Sequence, residues 1–175
     1  MPRAALTKLK AMHWLSDASL RPSSWVLDWL MTESSMTQRL AGYCQHIHVE
    51  VITEGMIPYE ALSGDELNFL PVDALYWQRE VILYGDECPW LAGRTVLPES
   101  TLTGDERALL QLGNQPLGHY LFTSPSLIRD FIKPGCSGEL WGRRSGLQLS
   151  GKPLLLTELF LADAPLYQSF RRCGK

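Results

Sequence analysis

Apolar and polar residues alternate along several stretches of this chain, and the alternation predicts strands. In "LYWQREVILYG" (75–85), one face would carry Leu75, Trp77, Arg79, Val81 and Leu83. The other would carry Tyr76, Gln78, Glu80, Ile82 and Tyr84. Further strands are predicted at "HIHVEVITEG" (46–55), "PWLAGRTVLP" (89–98), "SLIRDFIK" (126–133), "GELWGRRSGLQLSG" (138–151) and "PLLLTELFL" (153–161). "GDEC" and "SGKP" supply tight turns between neighbours, which implies antiparallel pairing. "SSWVLDWLMTESSMTQRLAGY" (23–43) reads as helix, capped by Ser23 or Ser24 and ended by Gly42, with Ser34-Ser35 as a point of breakage. "TLTGDERALLQLG" (101–113) reads as a helix with a Thr103–Glu106 capping box, and "QPLGHYLF" (115–122) as a short loop or helical turn. The expected fold class is α+β: a single antiparallel sheet of about six strands, with helices packed on one face.

Two charges do not fit the pattern. Arg79 lies on the more apolar face of its strand. Glu158 shares a face with Leu154, Leu156 and Phe160, and the opposite face of that strand, Leu155, Thr157, Leu159 and Leu161, is as apolar. A buried carboxylate costs several kcal/mol unless something pairs with it. Two readings are open. Arg79 and Glu158 pair with each other as a structural ion pair, or they line a polar pocket in which the arginine takes a ligand carboxylate and the acid a hydroxyl. The planar fork of arginine suits the first of those ligand roles.

The remaining composition excludes more than it adds. The chain has 175 residues, 45% hydrophobic and 20% charged, which suits one globular domain. A net charge of −3 points to neither nucleic acid nor an anionic membrane. No apolar run has the length of a membrane span, and the start lacks the apolar stretch of a signal peptide, so a cytoplasmic location is expected. Cys44, Cys88, Cys136 and Cys173 are scattered without a C-x-x-C pair and are expected as free thiols. His46 and His48 share a strand face, but no third ligand has suitable spacing, so no metal site is expected. "WGRRSG" puts two arginines on opposite faces, one of them a candidate anion contact, and "LAGR" sets Gly93 beside Arg94 at a possible close approach to a ligand. No nucleophile elbow or Walker loop is present.

Taken together, "VLDWL" with "SMTQR", "YWQREVIL", "PWLAGRTVLPESTL", "LGNQPLGHYLFTS", "RDFI", "LWGRRSGLQLSGKPLLLTELFL" and "APLY" resemble the chorismate pyruvate-lyase family, in order, over about residues 4–167. The resemblance implies a single domain over 1–167, followed by a loose tail at 168–175. It implies a buried pocket between the sheet and helical flaps. It implies conversion of chorismate to 4-hydroxybenzoate and pyruvate, the first committed step of ubiquinone biosynthesis, without metal or organic cofactor and with inhibition by product. It also implies that Arg79 binds the ring carboxylate and Glu158 the ring hydroxyl, with Met36 and Leu117 contributing largely through backbone groups. The expected partners are chorismate and 4-hydroxybenzoate, with no nucleic acid, no stable membrane insertion and a monomeric chain. A second cation should meet the enolpyruvyl carboxylate, and Arg94 and Arg144 are the candidates. The rival classes are a non-catalytic effector-binding module, similar in fold to those of some bacterial repressors, and a purely structural Arg79–Glu158 pair.

Overall fold

The computed structural model describes residues 1–15 and 21–170. Seven antiparallel strands form one sheet: β1 (His13–Trp14), β2 (Ile47–Pro58), β3 (Leu75–Gly85), β4 (Cys88–Pro98), β5 (Leu127–Ser137), β6 (Leu140–Leu149) and β7 (Lys152–Phe160). Their order is β1-β5-β6-β7-β4-β3-β2. Two three-strand meanders, β2-β3-β4 and β5-β6-β7, therefore join through β4 and β7, and the two-residue β1 is added at one edge. The six long strands are those read from the alternation; β1 is too short to leave a periodic signal. The β3–β4 turn is Asp86-Glu87, both at positive φ (45° and 70°), a backbone that matches the twist of a two-residue hairpin. Asp86 carries that conformation while its carboxylate accepts from the amides of Gln45 and His46.

The helical run splits where the serine pair stands. Helix α2 (Ser24–Leu30) is capped by Ser23, and α3 (Met36–Ala41) by Ser35, whose hydroxyl accepts from the Gln38 amide. Residues 104–111 form a 3-10 helix rather than the expected α-helix, and Thr103 makes no cap bond. Glu106 instead pairs with Lys152 at 2.7 Å, so the acid needed for the capping box is drawn to β7. Helix α5 (Leu117–Thr123) follows Pro116.

Helices cover both faces of the sheet, not one. On one face α2, α3 and α5 pack over Trp77, Leu83, Leu91, Leu147 and Phe160. On the other, α1 (Pro2–Lys10) buries Leu6 and Leu9 against Ile82, Ala92 and Leu159. The loop around α4 (Gly64–Leu67) buries Leu62 and Leu70 against Tyr76, Val96 and Leu155. This follows from the strands themselves. β3, β4 and β7 carry large apolar residues on both faces, and a sheet with apolar residues on both faces must be covered twice. The covers on the first face come from the long connections: the described residues 21–46 ahead of β2, and 99–126, joining β4 to β5. Residues 165–170 continue as a 3-10 helix against α2, with the Trp25 indole donating to the Leu166 carbonyl at 2.9 Å. The remainder of the expected loose tail, 171–175, lies outside the described residues, as does Cys173. No helix among the described residues is long and apolar enough to cross a membrane.

Candidate active site

The sheet face under α2, α3 and α5 holds a cavity of about 60 Å³. Its floor is built by strand register. Arg79 on β3 stands opposite Thr95 on β4, which stands opposite Leu156 on β7. One step along, Val81, Gly93, Glu158 and Arg143 form a row across β3, β4, β7 and β6. Directly paired residues share a face, so Arg79, Glu158 and Arg143 all point under the covers. Arg79 and Glu158 lie on strands that flank β4, about 10 Å apart at the usual strand spacing. Between them the floor is Gly93, which presents no side chain, and Thr95. The roof is Met36 and Thr37 of α3 together with Pro116, Leu117, Gly118 and Phe122 of the α5 segment.

Arg79 and Glu158 do not pair with each other. Glu158 Oε1 accepts from Arg143 Nε at 2.9 Å, and Oε2 has no protein donor among the described residues. Arg143 Nη1 donates to the carbonyls of Leu30 (3.2 Å) and Thr32, which ties the acid to the end of α2. Arg79 Nη2 donates to the Gln115 carbonyl at 2.8 Å, just ahead of the α5 cover. Its Nη1 is buried without a hydrogen-bond partner; the nearest carboxylate is Glu54, at 3.6 Å. Arg79, Arg143 and Glu158 are only 2%, 1% and 5% exposed. Burial pushes the Arg79 guanidinium below its ordinary pKa, and Glu54 offsets only part of that. A buried cation with a free N–H is poised for an anion, and Glu158 Oε2 is poised for a hydroxyl.

The two covers meet at Gly118, where a Cβ would lie 3.0 Å from Thr37 Oγ1 and 3.3 Å from Ser35 Oγ. The absence of a side chain there lets α3 and α5 approach closely over the cavity.

Arg94 and Arg144 are not brought to this cavity. Alternation places Arg94 beside Glu80 and Arg144 beside Thr157, on the opposite side of the sheet. There Arg94 donates to Glu66 (2.9 and 3.2 Å), Glu80 (2.7 Å) and Gln78 (2.7 Å), and Arg144 donates to Thr157 at 3.0 Å beneath Trp14. These groups line a separate cavity of about 490 Å³. The arginine of "WGRRSG" that faces the first cavity is Arg143. Its position was encoded: counting back from a two-residue turn at Ser150-Gly151 puts Arg143 opposite Glu158. His48 is exposed and stacked on Tyr84 (4.9 Å), and His46 is exposed nearby. Cys44, Cys88 and Cys136 carry free thiols.

The chorismate lyase family model matches residues 8–172, nearly the whole chain and past Tyr167. The chorismate pyruvate-lyase of Cronobacter sakazakii is 58% identical, across 95% of this chain and 98% of that protein. The chain belongs to the chorismate lyase family. A second family relative, the chorismate pyruvate-lyase of Pectobacterium atrosepticum, is 52% identical over 93% of this chain and 92% of its own. Among solved structures, a possible transcriptional regulator, YydK from Bacillus subtilis, aligns at 10% identity with a TM-score of 0.49, covering 91% of this chain and 75% of that one.

Proposed function

We infer that this protein converts chorismate to 4-hydroxybenzoate and pyruvate in the cavity between Arg79 and Glu158. The observation that carries the reading is a pair of groups at opposite ends of one apolar chamber: Arg79 Nη1, buried without a hydrogen-bond partner, and Oε2 of the buried Glu158, which accepts no hydrogen bond from the described residues. A ring with a carboxylate at one end and a hydroxyl at the other satisfies both. Family membership supports the same substrate, and ubiquinone biosynthesis is the pathway the family implies.

The chemistry fits so sparse a site. Chorismate carries an enolpyruvyl ether on the ring carbon next to the one bearing hydrogen and hydroxyl. That hydrogen passes to the enolpyruvyl methylene as the ether C–O bond breaks. Pyruvate leaves, and the new ring double bond completes an aromatic system. The transfer is cyclic and internal to the substrate, so no external base, nucleophile or metal is required. The protein's part is to hold a reactive conformer and to place charge around it. Arg79 grips the ring carboxylate. Glu158, fixed by Arg143, accepts from the ring hydroxyl and orients the carbon that loses hydrogen. The covers at Met36 and Leu117 contribute backbone contacts and exclude water, which strengthens both polar grips.

The product keeps the carboxylate and the hydroxyl, so both anchors still hold it. A cavity of about 60 Å³ is tight for such a ring, and release requires α3 and α5 to part at Gly118. Product release then limits turnover, and 4-hydroxybenzoate inhibits. The test is to incubate the purified protein with chorismate and a chelator and to separate the products by chromatography. Formation of 4-hydroxybenzoate and pyruvate in equal amounts is expected. A 3-hydroxybenzoate product would reject the placement of the hydroxyl at Glu158, and absence of turnover with retained 4-hydroxybenzoate binding would favour the effector-binding rival.

A further inference from the structure

Chorismate is a dianion, and Arg79 answers only one of its two carboxylates. With the ring carboxylate at Arg79 and the hydroxyl at Glu158, the adjacent ether directs the enolpyruvyl carboxylate past Glu158, away from Arg79. Across the sheet that direction runs from β7 to β6 and β5. Arg143 stands on β6 and Arg129 on β5. Arg143 has committed Nε to Glu158 and Nη1 to the carbonyls of Leu30 and Thr32. Only its Nη2 remains, too little for two-point capture of a carboxylate.

We propose that Arg129, beside Arg143, binds the enolpyruvyl carboxylate and so distinguishes substrate from product. This rests on the chorismate reading above. Arg129 is half-buried beside the cavity, just outside its lining residues, and is held there from three sides. Nη1 donates to Ser145 Oγ at 2.5 Å, and Ser145 lies two residues beyond Arg143 on the same face of β6. Nη2 donates to the Glu33 carbonyl at 3.2 Å, in the segment between α2 and α3. The guanidinium lies 5.6 Å from the centre of the Phe122 ring, which lines the cavity. All its partners are neutral; no carboxylate forms an ion pair with it among the described residues. Burial, then the charge of Arg143, pushes its pKa below the ordinary arginine value, with Glu158 and Glu33 opposing. An anion arriving between Arg129 and Arg143 relieves that repulsion.

The test uses the fact that 4-hydroxybenzoate lacks this second carboxylate. Arg129→Met keeps the apolar stem against Phe122 and removes the charge. Its kcat/KM for chorismate should fall about tenfold or more, as for a lost charge-assisted bond, while its Kd for 4-hydroxybenzoate stays close to that of the unmodified protein. Arg129→Lys should recover part of the loss. Thermal melting accompanies both variants, and if the methionine variant does not fold, Arg129→Gln, which also removes the charge, serves the same comparison. A loss in kcat/KM exceeding any loss in product affinity by about fivefold supports the proposal; a smaller gap overturns it, because a structural arginine would weaken both ligands alike. If the unmodified protein makes no 4-hydroxybenzoate from chorismate, the chorismate reading itself falls, whatever the variants show.

Discussion

The same central strands carry an arginine cluster on each face, and the two clusters are built to different ends. On the α1 side, Arg94 is saturated: two carboxylates and an amide surround it, and Lys10 adds a second cation to Glu80 at 3.0 Å. On the cavity side, Arg79 holds one backbone carbonyl at hydrogen-bond distance, and its Nη1 has only the looser Glu54 carboxylate at 3.6 Å. One face pairs its charges more fully, and the other leaves hydrogen-bonding capacity unused. The contrast is not complete, since Arg144 Nη1 on the α1 side is also unpaired, but its ring neighbour Trp14 stands over that guanidinium at 4.3 Å. Burial alone therefore does not mark a functional ion. What separates Arg79 from Arg144 is that its unmet N–H faces a cavity while no aromatic ring among the described residues stands over its guanidinium.

Removing one arginine from each face should separate the two clusters most widely. Arg94→Met leaves Glu66 and Glu80 buried without their main partner, and a loss of about 3–5 kcal/mol in stability is expected. Thermal or urea unfolding measures it. Arg79→Met removes a cation whose only protein partners among the described residues are the Gln115 carbonyl and the partly exposed Glu54. Its melting temperature should stay close to that of the unmodified protein, while kcat/KM falls about 100- to 1000-fold, as for a lost transition-state donor. An Arg79 variant that unfolds while the Arg94 variant melts normally would invert the account.

Acid offers a milder version of the same contrast. Burial pushes the Glu66 carboxyl up, but the hydrogen bonds and charge of Arg94 outweigh that and hold it below the ordinary glutamate value of 4.5. A group whose folded pKa is depressed stabilises above its unfolded pKa and loses that contribution as pH falls through the folded value. Stability should therefore drop below about pH 4.5, and Arg94→Met should flatten that dependence in unfolding curves taken across the acid range. The smallest effect is expected at Glu54, the partly exposed acid 3.6 Å from Arg79. Glu54→Gln removes a competing anion, and 4-hydroxybenzoate should bind up to a few-fold more tightly, about 0–1 kcal/mol. Fluorescence titration would show it.

How much of this was legible in the sequence differs between strands and covers. Alternation located the six long strands and put Arg79 and Glu158 on inward faces, because a period of two is a local property of the chain. Register is also nearly local: the Ser150-Gly151 turn sets Arg143 against Glu158, and alternation sends Arg94 and Arg144 to the other side. The second-anion assignment to those two residues missed that consequence of the turn. Arg129 was not legible, because it depends on how β5 lies beside β6 across a bulge between Arg129 and Phe131. Nor was the covering of both faces. Helix α1 has modest apolar spacing and no side-chain cap, so its packing is decided by the sheet it meets. Residues 104–111 carried an α-helical capping pattern, yet Lys152 on a distant strand claims Glu106 and the segment tightens to a 3-10 helix. Met36 and Leu117 read as ordinary packing residues; their place over the cavity comes from where the long connections close.

The most direct measurement is calorimetric titration of 4-hydroxybenzoate into the unmodified protein and into Arg79→Met, with a melting curve for each. The account expects one site per chain in the unmodified protein, lost in the variant by about 100-fold or more in affinity, with both proteins melting alike. Equal binding by the two proteins would contradict it, as would collapse of the variant's fold.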